Sequence, residues 1–184
     1  NAPYFLKIAQ ADEGYLFPDT YFFYENATPE EILATLKTAF KDKMDSLILA
    51  VSFSGRKVED IVTMASILER EASNSEDRAI ISGILWKRLD EGMLLQVDAP
   101  LIYLQPDGYV STNDTKVDSP YNTYKYKGLP KGPISNPGLD ALKAAMGPKK
   151  TSYFYYLSDR DGKMHYAVDH DGHIVNRGKY LNKI

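Results

Sequence analysis

Residues 58–72 carry the clearest helical periodicity in the chain, and they constrain the fold more than any other stretch. At about 100° per residue, the apolar side chains gather on one arc of a helical wheel. That arc consists of Val58, Ile61, Val62, Ala65, Leu68 and Ala72. The pattern predicts a helix whose apolar face is buried by other elements of the fold.

Two glutamates fall within this apolar segment. Glu69 lies in the arc beside Ala65 and Ala72, whereas Glu71 lies on the other shoulder of the wheel, near Met64. A carboxylate is costly to bury unless it is paired or protonated. The small neighbours of Glu69 favour a groove for a ligand, and the bulkier neighbours of Glu71 favour an ion pair with a basic residue. A plainer interpretation stays open, in which both are edge residues paired with Arg70, Arg78 or lysines.

Cap and turn signals place the other elements. Thr28, Pro29 and Glu31 form a capping box that predicts a helix to about residue 44. Capping-box spacing at Ser73 and Glu76 predicts a third helix, which runs to about residue 90 and stops at Gly92. A shorter helix follows, with Asn136 as its cap, Pro137 at its first position and Gly147 as its stop. Strands are predicted at residues 19–24 and in an aromatic hairpin, residues 152–168, around Asp161 and Gly162.

This mixed order, without βαβ alternation, predicts an α+β fold with helices packed on an antiparallel sheet. A weak boundary near residues 52–57 divides the chain into a small N-terminal lobe, residues 1–55, and a larger domain, residues 56–184.

Residues 93–137 contain few helix signals and many Gly and Pro, which predicts long ordered loops with short strands. Within them, residues 121–138 read YNTYKYKGLPKGPISNPG. Prolines and glycines would hold this loop rigid, so that Tyr121, Asn122, Thr123 and Tyr124 present two rings and two polar groups. We expect a binding wall for an amide-bearing sugar. The alternative is an Ω-loop with a purely structural role.

Composition narrows the functional classes. The net charge of −3 provides no basic footprint for nucleic acid, and the absence of cysteine excludes disulfides and thiolate chemistry. Fourteen tyrosines favour a polar ligand with ring-like faces. The late cluster of His165, His170 and His173 matches no standard zinc or calcium spacing, so no metal site is predicted. The Asp-Gly pairs at 161–162 and 171–172 are predicted to be turns.

Five stretches together resemble the YceG/MltG family of endolytic murein transglycosylases, over residues 13–184. They are EGYLFPDTY, ASILERE, LLQVDAPLIY, YNTYKYKGLPKGPISNPG and ALKAAMGPKKTSYFYYL. The resemblance implies a bacterial lyase that cuts MurNAc–GlcNAc bonds inside peptidoglycan strands, leaves 1,6-anhydromuramyl ends and limits strand length. It also implies a single-pass membrane anchor outside this sequence, a site on the extracytoplasmic face of the membrane, and peptidoglycan synthases as partners. Residues 1–55 would then include the end of a LysM-like subdomain.

The resemblance also implies a set of site residues. The family's catalytic glutamate maps to Glu69, which would protonate the glycosidic oxygen and then accept the proton of the sugar's C6 hydroxyl, without metal or cofactor. The loop composition, the loop signature and the need to hold the substrate's N-acetyl group together predict the substrate-binding residues. They are Gln96, Asp98, Tyr121, Asn122, Thr123, Tyr124, Gly128, Leu129, Pro130 and Asn136. The ending MHYAVDHDGHIVNRGKYL matches the family loosely, so His165 and Asn176 receive no role.

One acid suffices for this reaction, so we expect no second carboxylate within roughly 5–5.5 Å of Glu69. Asp98 or Glu13 at that position would instead indicate a hydrolase. Two further alternatives stand beside the enzyme. A non-catalytic peptidoglycan-binding module would use the same tyrosines. An aminodeoxychorismate lyase, an older label for family members, would need a lysine and a phosphate cup for pyridoxal phosphate, and Lys125, Lys127 and Lys131 lie in a loop without one.

Overall fold

The structure is a computed structural model that describes residues 2–105, 111 and 113–181. Eight α-helices lie among these residues: α1 Ala2–Ala9, α2 Pro29–Ser46, α3 Ile48–Ser54, α4 Val58–Glu71, α5 Ser75–Asp90, α6 Ala99–Ile102, α7 Leu139–Met146 and α8 His170–Tyr180. A single hairpin, β1 Tyr155–Ser158 and β2 Met164–Ala167, supplies the strands of the described residues. None of the helices in this part of the chain combines the length and apolar character needed to cross a lipid bilayer.

The core is built around α4, which packs against α5 and α7. The predicted apolar arc is confirmed, since Ile61, Val62, Ala65 and Leu68 are fully buried. Polar groups on this buried helix are satisfied locally: Ser66 donates to the carbonyl of Thr63 and accepts a 3.0 Å hydrogen bond from the Ile134 amide. The second of these bonds fastens the long loop region to the centre of the fold.

The local cap signals at the start of α2 are confirmed. Thr28 accepts a hydrogen bond from the Glu31 amide, and the Glu31 carboxylate accepts one from the Thr28 amide. At α5 the predicted cap is wrong by one residue, because Asn74 rather than Ser73 accepts the hydrogen bond from the Asp77 amide. Gly92 adopts a positive φ of 66° just beyond α5, where the sequence predicted the stop.

The prediction of an α+β fold with helices packed on an antiparallel sheet overestimates the share of the sheet. The core is helix against helix, and the fold is mainly α with one small antiparallel hairpin. The strand predicted at residues 19–24 is not formed; this segment has no regular secondary structure, and Phe22 is 97% exposed. The division at residue 55 stays a prediction.

Asn136 does not cap α7, which begins at Leu139 with Gly138 in the cap position. Its side-chain oxygen instead accepts hydrogen bonds from the amides of Gly14 and Leu16, at 2.8 and 3.1 Å. The loop between residues 93 and 137 contains α6 and a 3-10 turn at Asp114–Lys116, and no strand occurs in its described part. Residues 106–110 and 112 of that predicted loop lie outside the described residues.

The hairpin is confirmed, with Tyr156 opposite Tyr166 and Gly162 in its turn at a φ of 78°. The turn predicted at Asp171 and Gly172 is wrong, because these residues form the first turn of α8. Asp169 caps that helix by accepting a 2.8 Å hydrogen bond from the Gly172 amide. α8 then packs on both strands of the hairpin.

Candidate active site

The two glutamates of α4 have the reverse of the environments expected from the helical wheel. Glu69 is the ion-paired residue: its Oε1 lies 3.0 Å from Nη2 of Arg78 on α5. Its Oε2 accepts a 2.9 Å hydrogen bond from the amide of Gly138, at the start of α7. Both oxygens of Glu69 are thus engaged, which contradicts the expectation of an unpaired acid on an apolar face.

Glu71, the last residue of α4, has no basic partner among the described residues. Its Oε2 accepts a 2.8 Å hydrogen bond from the hydroxyl of Tyr156 on β1. Burial raises the pKa of the Glu71 carboxyl to about 7, and the nearby charge of Asp98 acts in the same direction. The hydrogen bonds from Tyr156 and the backbone of Ala99 lower the pKa without cancelling the effect of burial. A carboxyl that titrates near neutral pH is what a general acid requires.

Glu71 opens onto a groove of about 600 Å³, which we call the Glu71 groove. Of the site residues predicted from the sequence, the structure brings Gln96, Asp98 and Tyr124 into this groove. Tyr124 donates a hydrogen bond from its hydroxyl to Asp98, which directly precedes α6. The other lining residues are Arg88, Leu95, Val97, Tyr155, Tyr156, Leu157, Ser158, His170, His173, Arg177 and Leu181.

The loop that carries Gln96 is held in place by Thr123. The Gln96 amide donates to the carbonyl of Thr123, and the Thr123 hydroxyl bridges the amide and carbonyl of Val97, all at 3.0 Å. Gln96 has a φ of 52° and is the one residue other than glycine with a positive φ in the described part of the chain. Such a conformation persists only where surrounding contacts determine it, and it occurs preferentially at functional sites.

Asn122 and Thr123 do not face a ligand as expected, because only 1% and 2% of their surfaces are exposed. The Asn122 side chain donates to the carbonyls of Thr115 and Val117 and accepts from the Tyr124 amide. These bonds shape the loop from within. The loop is thus partly structural, as in the alternative interpretation. Of residues 121–124, only Tyr124 lines the groove.

The remaining predicted residues lie elsewhere. The ring of Tyr121 packs 5.3 Å from that of Tyr103, and Leu129 packs against the core. Pro130 is buried, and Gly128 provides a positive φ of 97° in the loop. Asn136 lines a separate apolar groove of about 690 Å³ beside Phe17 and Pro18.

Glu69 and Glu71 are nevertheless neighbours. Both line a smaller pocket of about 430 Å³, together with Arg78, Asp77 and Ser158. Glu69 therefore lies beside the Glu71 groove without lining it, and its pair with Arg78 forms part of the adjoining wall. Arg78 also lies 3.5 Å from Asp140, which holds α4, α5 and α7 together at this point.

His165 and Asn176 have structural contacts. His165 lies 2.8 Å from Asp159 in the hairpin turn, and its ring stacks 3.5 Å from that of Tyr180. Asn176 donates to the carbonyl of Tyr166 and fixes α8 to β2. Within the described ranges, no three acidic or histidine side chains converge as they would around a metal ion.

Sequence reasoning missed Tyr156, Arg88, His173 and Arg177 as groove residues. No local signal identifies them, since Tyr156 lies 85 positions after Glu71 and meets it only through the packing of the hairpin. The one usable signal is the density of tyrosines in β1, where Tyr155 and Tyr156 follow each other.

Comparison with known proteins gives a single answer. The model of the YceG-like family matches residues 2–179. A protein of Streptococcus pneumoniae (strain D39) named endolytic murein transglycosylase is 33% identical over 180 residues, which cover 92% of this chain and 32% of that protein. A protein of the same name from Bacillus subtilis (strain 168) is 34% identical over 173 residues, covering 92% of this chain and 48% of its own length.

A crystal structure of a yceG-like protein from Listeria monocytogenes superposes with a TM-score of 0.83 at 34% identity. The match covers 88% of this chain and 54% of that one. The present chain thus spans between a third and about half of the length of these relatives.

Proposed function

This chain belongs to the YceG-like family, and on that premise we propose that it cuts peptidoglycan strands internally as a lytic transglycosylase, with Glu71 as the general acid. The family supports the substrate and the reaction class. The protonation of Glu71 supports the choice of residue, because among the described residues this carboxyl alone combines a pKa of about 7 with a place in the groove.

Glu69, the residue implied by the sequence motif, is the weaker candidate. An acid must bring a proton to the leaving oxygen, and both oxygens of Glu69 are already occupied by Arg78 and the Gly138 amide. We infer that Glu69 positions the end of α4 rather than touching the reacting atoms. Its pair with Arg78 fixes the last turn of the helix, from which Glu71 projects.

The proposed reaction needs one acid that acts twice. Protonated Glu71 gives its proton to the glycosidic oxygen as the bond to C1 of the muramyl sugar breaks, and an oxocarbenium-like centre develops at C1. The resulting carboxylate accepts the proton of the C6 hydroxyl as that oxygen bonds to C1, which closes the 1,6-anhydro ring. The charge of Asp98 in the same groove favours the positive centre.

Asp98 also supports a second candidate function. A carboxylate near the acid is the arrangement by which inverting and retaining glycosidases add water to C1. If Asp98 activates or replaces water, the product carries a reducing muramic acid instead of an anhydro end. The two reactions share Glu71 and differ in the role of Asp98.

Mass spectrometry of a peptidoglycan digest tests both points. We expect anhydromuramyl ends with the wild-type protein, none with Glu71→Gln, and a reduced but clear yield with Glu69→Gln. Both substitutions keep the shape of the side chain and remove its proton, so they form a matched pair. Reducing muramyl ends that disappear in Asp98→Asn would identify the protein as a hydrolase. Loss of activity in Glu69→Gln but not in Glu71→Gln would identify Glu69 as the acid.

For the whole protein we propose action on the extracytoplasmic face of the bacterial membrane, where peptidoglycan lies, with an anchor outside this sequence and synthases as partners. These proposals rest on the family and on the greater length of the relatives. Membrane fractionation of the full-length protein tests the first, and cross-linking in cells tests the second.

A further inference from the structure

The lining of the Glu71 groove contains groups of opposite charge from different elements. The acids Glu71 and Asp98 come from the end of α4 and the start of α6, and we call them the acidic wall. α8 contributes His170, His173 and Arg177, which we call the α8 wall. A strand that fills the groove therefore meets both acidic and basic side chains. The proposed reaction uses the acidic wall, and it leaves the α8 wall without a role.

Two polar groups of the α8 wall, on Arg177 and His173, lack partners within the described part of the fold. Within the described residues no ion pair joins Arg177 to an acid, and Nδ1 of His173 is buried without a hydrogen-bond partner. A buried polar atom without a partner is uncommon in native proteins and calls for an explanation. The ring of His173 is held in place by stacking 5.3 Å from that of Tyr155.

Arg88, in contrast, is a scaffold residue. Its guanidinium donates to the carbonyls of Phe154 and Leu95 at 2.8 Å, and it lies 4.8 Å from the ring of Tyr155. These partners are neutral, and no ion pair among the described residues joins Arg88 to an acid. The charge of Arg88 therefore adds to that of Arg177 at the place where His173 lacks a partner.

We propose that the α8 wall, through Arg177 and His173, binds a carboxylate carried by the muramyl residues of the strand. This inference rests on the proposed function, since murein supplies the carboxylate. Each muramyl sugar bears a lactyl group, which ends in a free carboxylate or continues into a stem peptide with carboxylates of its own. The planar guanidinium of an arginine fits a carboxylate through two parallel hydrogen bonds, and an imidazole N–H adds a third.

The acidic wall gives this recognition a direction. A carboxylate on the strand is repelled by Asp98 and attracted by Arg177, so the lactyl side of the muramyl sugar turns toward α8. That orientation leaves the glycosidic oxygen on the side of Glu71. The α8 wall would thus select muramyl over unsubstituted sugars and fix which face of the strand meets the acid.

The protonation of His173 provides an independent sign of occupancy. Burial lowers the pKa of His173 in the free protein, and the charges of Arg177, His170 and Arg88 lower it further. A bound carboxylate opposes the effect of these cations, so the pKa of His173 rises on binding. A strand bound elsewhere would leave the pKa of His173 where it is.

The test uses three forms of the same glycan strands: with stem peptides, stripped to the free lactyl carboxylate by an amidase, and stripped with that carboxylate converted to its methylamide. We expect Arg177→Gln to raise KM about tenfold on a charged form with little change in kcat, and to have no effect on the methylamide. Lys179→Gln is the matched control, because it removes a positive charge from an exposed residue of the same helix that does not line the groove. An effect on peptide-bearing strands alone identifies the peptide carboxylates, and an effect that persists on the free lactyl form identifies the lactyl group.

A binding measurement keeps this inference separate from the proposed reaction. In the Glu71→Gln background, which does not cut, the affinity for charged strands should fall about tenfold with Arg177→Gln and stay constant with Lys179→Gln. The pKa of His173, followed by NMR, should rise when charged strands are added. Equal losses on charged and methylamide strands, or an unmoved His173, would overturn the inference even if Glu71 proves to be the acid.

Discussion

The hydroxyl of Tyr156 donates a 2.8 Å hydrogen bond to Oε2 of Glu71 and so joins the end of α4 to the first strand of the hairpin. The bond has two opposed effects on the acid. The strand that carries Tyr156 helps to bury Glu71, which raises the pKa, whereas the donated hydrogen bond stabilises the carboxylate and lowers it. Tyr156→Phe removes the hydrogen bond and keeps the ring, so it separates the two effects.

The first prediction concerns the pH dependence of cleavage. A general acid must be protonated, so kcat/KM should fall as the pH rises through the pKa of Glu71, about 7. Tyr156→Phe removes a bond that lowers this pKa, so the fall should move to higher pH. Asp98→Asn removes a charge that raises it, so the fall should move to lower pH. Rates on dye-labelled peptidoglycan between pH 5 and 9 measure both, and movement in one common direction would refute the assignment.

The second prediction concerns stability. Unfolded Glu71 would titrate near its ordinary pKa of 4.5, but the native residue holds its proton to about pH 7. Between these values the unfolded chain binds fewer protons, so the free energy of unfolding decreases as the pH rises, and the loss is complete above pH 7. The displacement corresponds to about 3 kcal/mol. Glu71→Gln should therefore be more stable than the wild type at pH 8 by up to that amount.

Urea denaturation at pH 4.5 and pH 8 measures this difference. The advantage of Glu71→Gln should shrink toward zero at the lower pH, where both side chains are neutral. A constant advantage at both values would show that the native residue is not protonated near pH 7.

The third prediction concerns the pair of Arg78 and Glu69. Arg78 is only 11% exposed in its side chain, so its removal leaves the Glu69 carboxylate with the Gly138 amide alone. We expect Arg78→Met to lower the free energy of unfolding by about 1–3 kcal/mol. In a double-mutant cycle with Glu69→Gln, the coupling should be about 0.5–3 kcal/mol. Strictly additive effects would mean that the pair contributes nothing.

The fourth prediction concerns Asn122. It is buried and makes three hydrogen bonds to the backbone of the loop, so Asn122→Ala should lower the free energy of unfolding by about 1–3 kcal/mol. Lys127→Ala, an exposed change in the same loop, should stay within about 0.5 kcal/mol of the wild type. Denaturant midpoints measure both. An Asn122→Ala protein that is fully stable but slow on glycan would restore Asn122 to the binding wall.

Local signals in the sequence were enough where the structure they specify is local. The capping box of Thr28 and Glu31 involves residues three apart, and the apolar arc of α4 depends on helix geometry alone. Asn136 shows where this reasoning stops. Its pattern resembles a cap, but its oxygen is used by amides about 120 residues away, which no window of sequence contains.

The environments of Glu69 and Glu71 could not be predicted for the same reason, and the choice of the acid stays a prediction. The wheel placed both at the margin of the apolar face, and their partners lie on other elements. Arg78 comes nine residues after Glu69 and Tyr156 comes 85 after Glu71. Packing decides that Glu69 pairs with an arginine and that Glu71 is buried beside a tyrosine. Of the groove residues, Tyr124 was predicted from the composition of its loop. Gln96 and Asp98 were predicted as polar groups able to hold the substrate, and helical periodicity identified neither of them.

The hairpin that carries Tyr156 also makes the protonation of Glu71 depend on a distant part of the chain. Glu71 owes its proton at neutral pH to burial, and part of that burial is provided by a two-stranded element that begins more than eighty residues later in the chain. Without the docked hairpin Glu71 would lose part of that burial, and its pKa would move back toward the ordinary value of 4.5. On the proposed mechanism, Glu71 therefore becomes a general acid at neutral pH only after residues 155–167 have been made and have folded onto α4. A molecule with an undocked hairpin would not cleave peptidoglycan at neutral pH.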